Sequence, residues 1–305
     1  MLMHPSAKKP LTNEQKTEYI SSYIKSLDKQ KDNKNGTSLY LQRAFSLISQ
    51  MKTPELIEFN DIYIRKNGIS IPSSLSMINQ NENDSKLFSL LTDLFSSYSD
   101  YDCNQIFKAI EGLGTDEDTL IEIFSSRSQR TILKLKQRFE ELYKQELVQY
   151  VKDDTSGDFQ KLLVALLQCV RNENEHPLEN ECSQWAEEIY QAGEGRLGTD
   201  EEFFIKTFTI RSRAELRMIN KIYENKYKSN LENAIEKEFS GDIKKLLKSI
   251  LRANLDKVFF FSRNLYKAFN MKLIGIDENM INRIIIQDVT LILIELRIDI
   301  FVIME

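Results

Sequence analysis

No stretch of this 305-residue chain is apolar for long enough, and free enough of charge, to read as a membrane span. The most apolar segment, Ile284 to Met304, is broken by Gln287, Asp288, Glu295, Arg297 and Asp299, each costly in hydrocarbon. The N-terminus, MLMHPSAKKPLTNEQK, lacks the apolar run that a signal peptide needs, so secretion by that route is not expected. A basic excess is lacking too: 41 Lys and Arg against 46 Asp and Glu leave a net charge of −5. Phosphate backbones are held mainly by clustered Lys and Arg, which argues against a general nucleic-acid binder. Any anionic partner therefore needs another source of positive charge.

Cysteine and histidine are scarce. Cys103, Cys169 and Cys182 are an odd count on distant segments, with neither CxxC spacing nor a disulfide framework, and they read as reduced core thiols of a cytosolic protein. His4 and His176 lie in loop-like sequence without a plausible Cys or Ser partner. No nucleophile and base pair emerges, and nothing argues for an enzyme. What is present is 41% hydrophobic and 10% aromatic residues, enough for a globular core.

That core is organised by a repeat. EGLGTDEDTLIEIFSSRS, residues 111–128, returns as RLGTDEEFFIKTFTIRS at 196–212, eighty-four residues on. With no gap, Tyr143 then falls on Tyr227, Leu147 on Leu231, Ser156-Gly157-Asp158 on Ser240-Gly241-Asp242, and Lys161-Leu162-Leu163 on Lys245-Leu246-Leu247. Helical spacing divides each copy into five. In the first, Asp102 to Glu111 carries Ile106, Phe107 and Ile110 on one face and stops at Gly112. Thr115 fits an N-cap, with Asp116, Glu117 and Asp118 in the positive first turn of a helix to about Arg127. Ser128 caps the next, where Ile132, Leu135, Phe139, Leu142 and Tyr143 recur at core spacing. A short helix over about Gln145 to Lys152 follows, and after Thr155-Ser156-Gly157 the last takes Phe159, Leu162, Leu163, Leu166 and Leu167 inward.

Two weaker copies flank these. Asn35-Gly36-Thr37 precedes a Thr53-Pro54 helix start and the Phe59/Tyr63 pair, and Ile274-Gly275-Ile276-Asp277 follows the second copy. The chain divides into a tail 1–14 and units at 15–97, 98–170, 182–252 and 253–305, with a polar linker 171–181 that contains Pro177.

The glycine loops read poorly as phosphate cradles. A Walker loop needs Lys-Ser/Thr where Thr115-Asp116 stands; a dinucleotide fingerprint needs a third glycine and a preceding strand; and Asp116, Glu117 and Asp118 repel anions. A hard cation suits them better, because a glycine-rich turn can aim several carbonyls at one point. The balancing carboxylate has to come from elsewhere. Asp154 follows Gly114 by forty residues, and Glu238 follows Gly198 by the same forty. DDTSGD at 153–158 lacks the spacing of an EF-hand. The plainer reading, in which Gly112 and Gly114 merely end one helix before the next begins, does not explain the repeated acid.

The four-unit plan, the GLGTD and RLGTD loops, Arg127-Ser128 and Arg211-Ser212, and an acid ahead of x-Ser-Gly-Asp together resemble the annexin family, strongly over about 102–252 and thinly elsewhere. The resemblance implies an all-α fold of right-handed superhelical five-helix repeats in a curved disc, which binds acidic phospholipid through Ca2+ on its convex face. It implies that the carbonyls of Ile110, Gly112 and Gly114 with the carboxylate of Asp154 form one Ca2+ site. The carbonyls of Gly193, Arg196 and Gly198 with Glu238 form a second, and waters and lipid phosphate complete each. A cytoplasmic protein, peripheral on membranes, is what this predicts. A rival is an adaptor that keeps the disc but binds cytoskeletal or other protein partners with little need of Ca2+.

The outer units depart from the pattern. Lys-Asp-Asn-Lys-Asn precedes Gly36, and Gln80 stands where the acid belongs with Asp84 nearby, so no well-formed site is expected there. The fourth unit has Lys272-Leu273-Ile274-Gly275-Ile276, Asp288 where the good copies carry Arg127 and Arg211, and an end at Glu305 before two helices of the plan. Part of its core is then expected to be exposed, favouring dimerisation or poor solubility; a truncated gene sequence accounts equally for the same ending. Arg127 and Arg211 are expected in buried ion pairs or on helix carbonyls, and Trp185 in the core rather than in a membrane. Leu113 and Leu197, at the loop tips, fit either packing or apolar membrane contact.

Overall fold

A helix starts readily where a side-chain oxygen can take one of its free first-turn amides, and the middle of this chain repeats such starts in a fixed order. The computed structural model describes residues 11–29, 48, 51, 53–78, 92–112, 114–269 and 277–287, which hold helices and turns and no strand. They fall into two compact units, Met1–Ser97 with Asn282–Leu291, and Tyr98–Ile281 with Ile292–Glu305. The first holds α1 (Asn13–Lys29), α2 (Thr53–Asn67) and α3 (Ile71–Ile78). In the second are α4 (Tyr98–Ile110), α5 (Glu117–Ser126), α6 (Gln129–Tyr143), α7 (Leu147–Asp154), α8 (Gly157–Leu167), α9 (Glu179–Ala192), α10 (Glu201–Ile210), α11 (Arg213–Tyr227), α12 (Leu231–Glu238), α13 (Gly241–Leu255) and α14 (Lys257–Phe269). α15 (Glu278–Gln287) follows. No described helix is long and apolar enough to cross a membrane.

Helices α4 to α8 and α9 to α13 are two runs of five in the same order. After the glycine loops the core positions match at the predicted step: Leu120 with Phe204, Leu135 with Ile219, Phe139 with Tyr223, Val151 with Ile235 and Leu162 with Leu246, all buried. Before the loops the step is one shorter, and Cys103 matches Ala186, Ile106 matches Ile189 and Ala109 matches Ala192. The second loop therefore carries one extra residue. Ring stacking confirms both steps: Phe107 lies on Tyr143 with centroids 4.3 Å apart, and Tyr190 on Tyr227 at 4.1 Å. Cys103 and Cys182 are buried free thiols, as expected, while Cys169 is half-buried. Burial, followed by the charges of Asp102 and Asp100, pushes the Cys103 thiol up to about 12 and keeps it protonated.

The unit of α1 to α3 shares its aromatic spacing and one side-chain bond with these runs. Phe59 and Tyr63 are buried, as their spacing predicts, and α2 begins at Thr53. Asn60 Oδ1 accepts from the Ile71 amide at 2.9 Å, as Asn220 Oδ1 does from the Leu231 amide at 3.2 Å. Each asparagine lies one helix before the amide it receives.

Three readings need correction. Asp116 rather than Thr115 caps α5, because its carboxylate already takes the Thr119 amide at 3.0 Å. Leu142 is 41% exposed and leaves the core face of α6 to Ile132, Leu135 and Phe139. The short helix expected from Gln145 to Lys152 is α7, two residues later, so Asp154 is its last residue. Ser128 does cap α6, accepting from the Thr131 amide at 3.2 Å, and Ser212 forms a full capping box with Glu215 on α11.

Each run turns a corner on an arginine. Arg127 grips Asp102 through two parallel bonds of 2.7 Å, with both side chains almost wholly buried. At the position of Asp102 the second run has Trp185, and the Arg211 guanidinium lies 4.1 Å over its ring while Glu215 stands 3.5 Å away. Both arginines thus bind protein, and Trp185 is half-buried, packed against the core and stacked on Phe203. The linker is tied to the same corner: Arg171 donates to the carbonyls of Arg211 and Phe208, each at 2.7 Å. Asp102→Ala strands the Arg127 charge and should destabilise the protein by about 3–5 kcal/mol, read as a lower urea midpoint, with part recovered in Asp102→Ala/Arg127→Met.

Candidate metal centres

Both glycine loops close on a main-chain bond. The Asp116 amide donates to the Ala109 carbonyl and the Asp200 amide to the Ala192 carbonyl, each at 2.7 Å. The aspartate at each neck then turns its side chain to the next helix: Asp116 takes the Thr119 amide, and Asp200 takes the Phe203 amide at 3.0 Å. That leaves the preceding threonine free for another partner.

Its partner is the predicted acid. Thr115 Oγ1 donates to Asp154 Oδ2 at 2.5 Å, and Thr199 Oγ1 donates to Glu238 Oε2 at 2.6 Å. Asp154 ends α7 and Glu238 ends α12, so each carboxylate sits at the negative end of a helix dipole, where a cation would be favoured and an acid is not. Among the described residues neither acid makes an ion pair. In the second centre the acid also touches the loop: a Cβ on Gly193 would lie 3.0 Å from Glu238 Cγ and 3.2 Å from Cδ. Gly193 is the residue that lets the carboxylate settle there.

The loops supply oxygens. Gly112, Gly114 and Gly198 hold φ of +116°, +89° and +80°, a left-handed backbone that side-chain-bearing residues adopt at a cost. Among the described residues no backbone donor outside the helices reaches the carbonyls of Ile110, Gly112, Gly114, Arg196 or Gly198. The Gly193 carbonyl accepts from the Arg196 amide at 3.0 Å and keeps its second lone pair. The Arg196 side chain turns toward Asp200, 3.9 Å away, leaving only its main chain to the loop. No cluster of three or more His, Cys, Asp or Glu suited to a metal occurs among the described residues. A metal here would rest on main-chain oxygens and one acid, a donor set for a hard cation rather than for zinc or copper.

Of the predicted residues, Ile110 ends α4, Gly112 and Gly114 lie in the loop after it, which is tied through Thr115 to Asp154, and Gly193, Arg196 and Gly198 lie in another tied through Thr199 to Glu238. Gly36, Gln80, Asp84, Gly275 and Asp288, the positions that mark the outer units as degenerate, lie outside the described residues, as does Leu113. Leu197 is fully exposed, which removes packing as its role. Sequence reasoning missed the threonine ties. Their signal was the Gly-Thr-Asp order in both loops, which offers two candidate caps where a helix needs one. It also missed Glu194, whose carboxylate accepts from the Tyr223 hydroxyl at 2.7 Å and from Lys237 at 2.6 Å.

A family model described as Annexin matches residues 101–166 and 184–250, the two runs of helices that carry these loops. Human annexin A13 (Homo sapiens) is 39% identical over 188 residues, which are 62% of this chain and 59% of the relative. The chain thus spans less than two thirds of the length of the curated relative it matches. Among solved structures, annexin III superposes with a TM-score of 0.80 at 27% identity, over 92% of this chain and 84% of the other. Chicken annexin V superposes with a TM-score of 0.78 at 25% identity, over 97% and 88%.

The loop geometry ranks two glycine substitutions. A Cβ on Gly195 would meet the Tyr190 ring and carbonyl oxygen at 2.9 Å, whereas Gly114 has open space around it and only a left-handed φ. Gly195→Ala should therefore destabilise by about 1–3 kcal/mol and Gly114→Ala by about 1 kcal/mol, compared as urea midpoints. The reverse order would mean that the second loop does not press on Tyr190.

Proposed function

Because the chain belongs to the annexin family, we propose that it binds acidic phospholipid membranes in a Ca2+-dependent manner, each ion bridging loop carbonyls and one carboxylate to lipid phosphate. The carrying observation is the pair of helix-ending acids, Asp154 and Glu238, each tied to its glycine loop by a neutral hydroxyl and, among the described residues, in no ion pair. Ca2+ takes about six to eight oxygens. Ile110, Gly112 and Gly114 with Asp154 supply one share, and Gly193, Arg196 and Gly198 with Glu238 the other. Bound there, the ion supplies positive charge; the chain's own part is to hold the oxygens at one point.

The overall charge supports the same reading. A chain of net charge −5 is repelled by an anionic leaflet, and a bridging cation reverses the sign locally. By linkage, Ca2+ and membrane raise each other's affinity by one common factor. One carboxylate per site makes binding weak without lipid. Leu197, fully exposed at a loop tip, is placed to add an apolar contact. The reading carries with it the division into four units at 15–97, 98–170, 182–252 and 253–305, and a peripheral place on membranes.

Co-sedimentation with phosphatidylserine vesicles tests it. The parent should pellet with Ca2+ and not with chelator, and Asp154→Ala/Glu238→Ala should stay in solution under both conditions. Equal pelleting of both proteins, with and without Ca2+, would sink the bridging mechanism and favour an adaptor that works without the ion.

A further inference from the structure

The two centres are built on the same plan but are not equally supported. Each loop carries a glutamate just after its first carbonyl, Glu111 after Ile110 and Glu194 after Gly193. Glu111 is exposed. The Glu194 side chain is only 15% exposed, with one oxygen on Tyr223 of α11 at 2.7 Å and the other on Lys237 of α12 at 2.6 Å. The correspondence of the two runs beyond the loops explains the contrast: Phe139 stands where Tyr223 does, and Asp153 where Lys237 does. The first run therefore has no hydroxyl at that place, and a second carboxylate beside Asp154 where the second run has an ammonium.

Lys237 immediately precedes Glu238, the acid of the second centre. Its bond to Glu194 joins the residue after the first loop carbonyl to the residue before the acid, so the two sources of oxygen are tied across the gap they must share. The longer loop has more need of such a tie, since it holds one more residue between Ala192 and Asp200 than its counterpart holds between Ala109 and Asp116, and closing it orders more backbone. Gly195 completes the fixing: its amide donates to the Tyr190 carbonyl at 2.7 Å, and no side chain fits there.

We propose that Glu194 is a positioning residue, clamped by Tyr223 and Lys237, that prearranges the carbonyls of Gly193, Arg196 and Gly198 against Glu238, and that the centre at Asp154 lacks this clamp. The proposal rests on the Ca2+ reading of both loops. It makes the two centres unequal: the one at Glu238 meets the ion with its loop already ordered, and the one at Asp154 orders its loop on binding. Glu194 itself does not touch the ion; it acts through the two residues it links.

The test uses single-centre proteins, Asp154→Ala to leave the Glu238 centre and Glu238→Ala to leave the Asp154 centre. Two quantities are read: the Ca2+ concentration for half-maximal sedimentation with phosphatidylserine vesicles, and amide hydrogen exchange of residues 193–199 in chelator. Adding Glu194→Gln to Asp154→Ala should raise the Ca2+ requirement about tenfold, the low end for residues that orient metal ligands, and speed exchange in the loop. The same substitution in Glu238→Ala should leave the Ca2+ requirement unchanged. Tyr223→Phe, which removes one bond and keeps the ring, should act in the same direction by less and serves if Glu194→Gln misfolds. An unchanged Ca2+ requirement with unchanged exchange overturns the clamp. If neither single-centre protein sediments with Ca2+, the bridging reading fails, and exchange in chelator alone decides whether Glu194 orders the loop.

Discussion

One main-chain bond governs what the loops can do. The amide of an aspartate returns to the carbonyl of an alanine at the end of the previous helix, at 2.7 Å for Asp116 on Ala109, 2.7 Å for Asp200 on Ala192 and 2.9 Å for Asp277 on Ala268. Between those fixed ends the number of intervening residues rises by one from each loop to the next. Closing a loop at its neck separates loop length from helix packing, so extra residues lengthen the loop instead of shifting the core. This is why the buried residues of the two runs match at one step before the loop and at a step one longer after it, with Ile106 on Ile189 and Leu135 on Ile219.

The neck also decides which side chain does what. With its amide committed backward, the aspartate has its carboxylate over the first turn of the next helix and satisfies an amide there. The threonine before it is left to reach across to an acid at the end of another helix. Taken alone, that acid is badly placed: a carboxylate at a helix C-terminus meets the negative end of the dipole. A sequence under selection for stability alone would favour lysine there. Local rules broken twice in the same way fit the proposed sites, whose balancing charge would come from outside the chain.

The helices and the acids were legible in the sequence because their evidence is periodic. Core spacing, serine caps and a forty-residue interval occur twice, and each copy checks the other. Thr115 was misread because threonine and aspartate are both good caps and only the closed neck selects between them. The Trp185 and Arg211 contact was hidden for a different reason: matching the runs at a single step pairs Asp102 with the wrong residue, and only the extra loop residue sets indole opposite carboxylate. Glu194 was illegible because its partners, Tyr223 and Lys237, lie on two later helices and carry no motif of their own.

The arginine corners show how far two repeats of one plan can differ in chemistry while keeping their geometry. Asp102 satisfies Arg127 with a planar two-bond pair, which repays the cost of burying both charges only because the fit is close. Trp185 offers a broad polarizable face instead, which costs little to bury but accepts no hydrogen bond from the guanidinium edge. Among the described residues the Arg211 Nε is accordingly buried without a hydrogen-bond partner, and Glu215, 3.5 Å from the guanidinium, is shared with the cap of α11. The first run thus places a buried ion pair in that corner, with Phe139 in the core and Glu111 at the surface. The second places an aromatic ring in that corner and spends a hydroxyl, an ammonium and a carboxylate on its loop. Helix positions constrain only the size and direction of a side chain, so the chemistry at each place is free to change once its neighbours change with it.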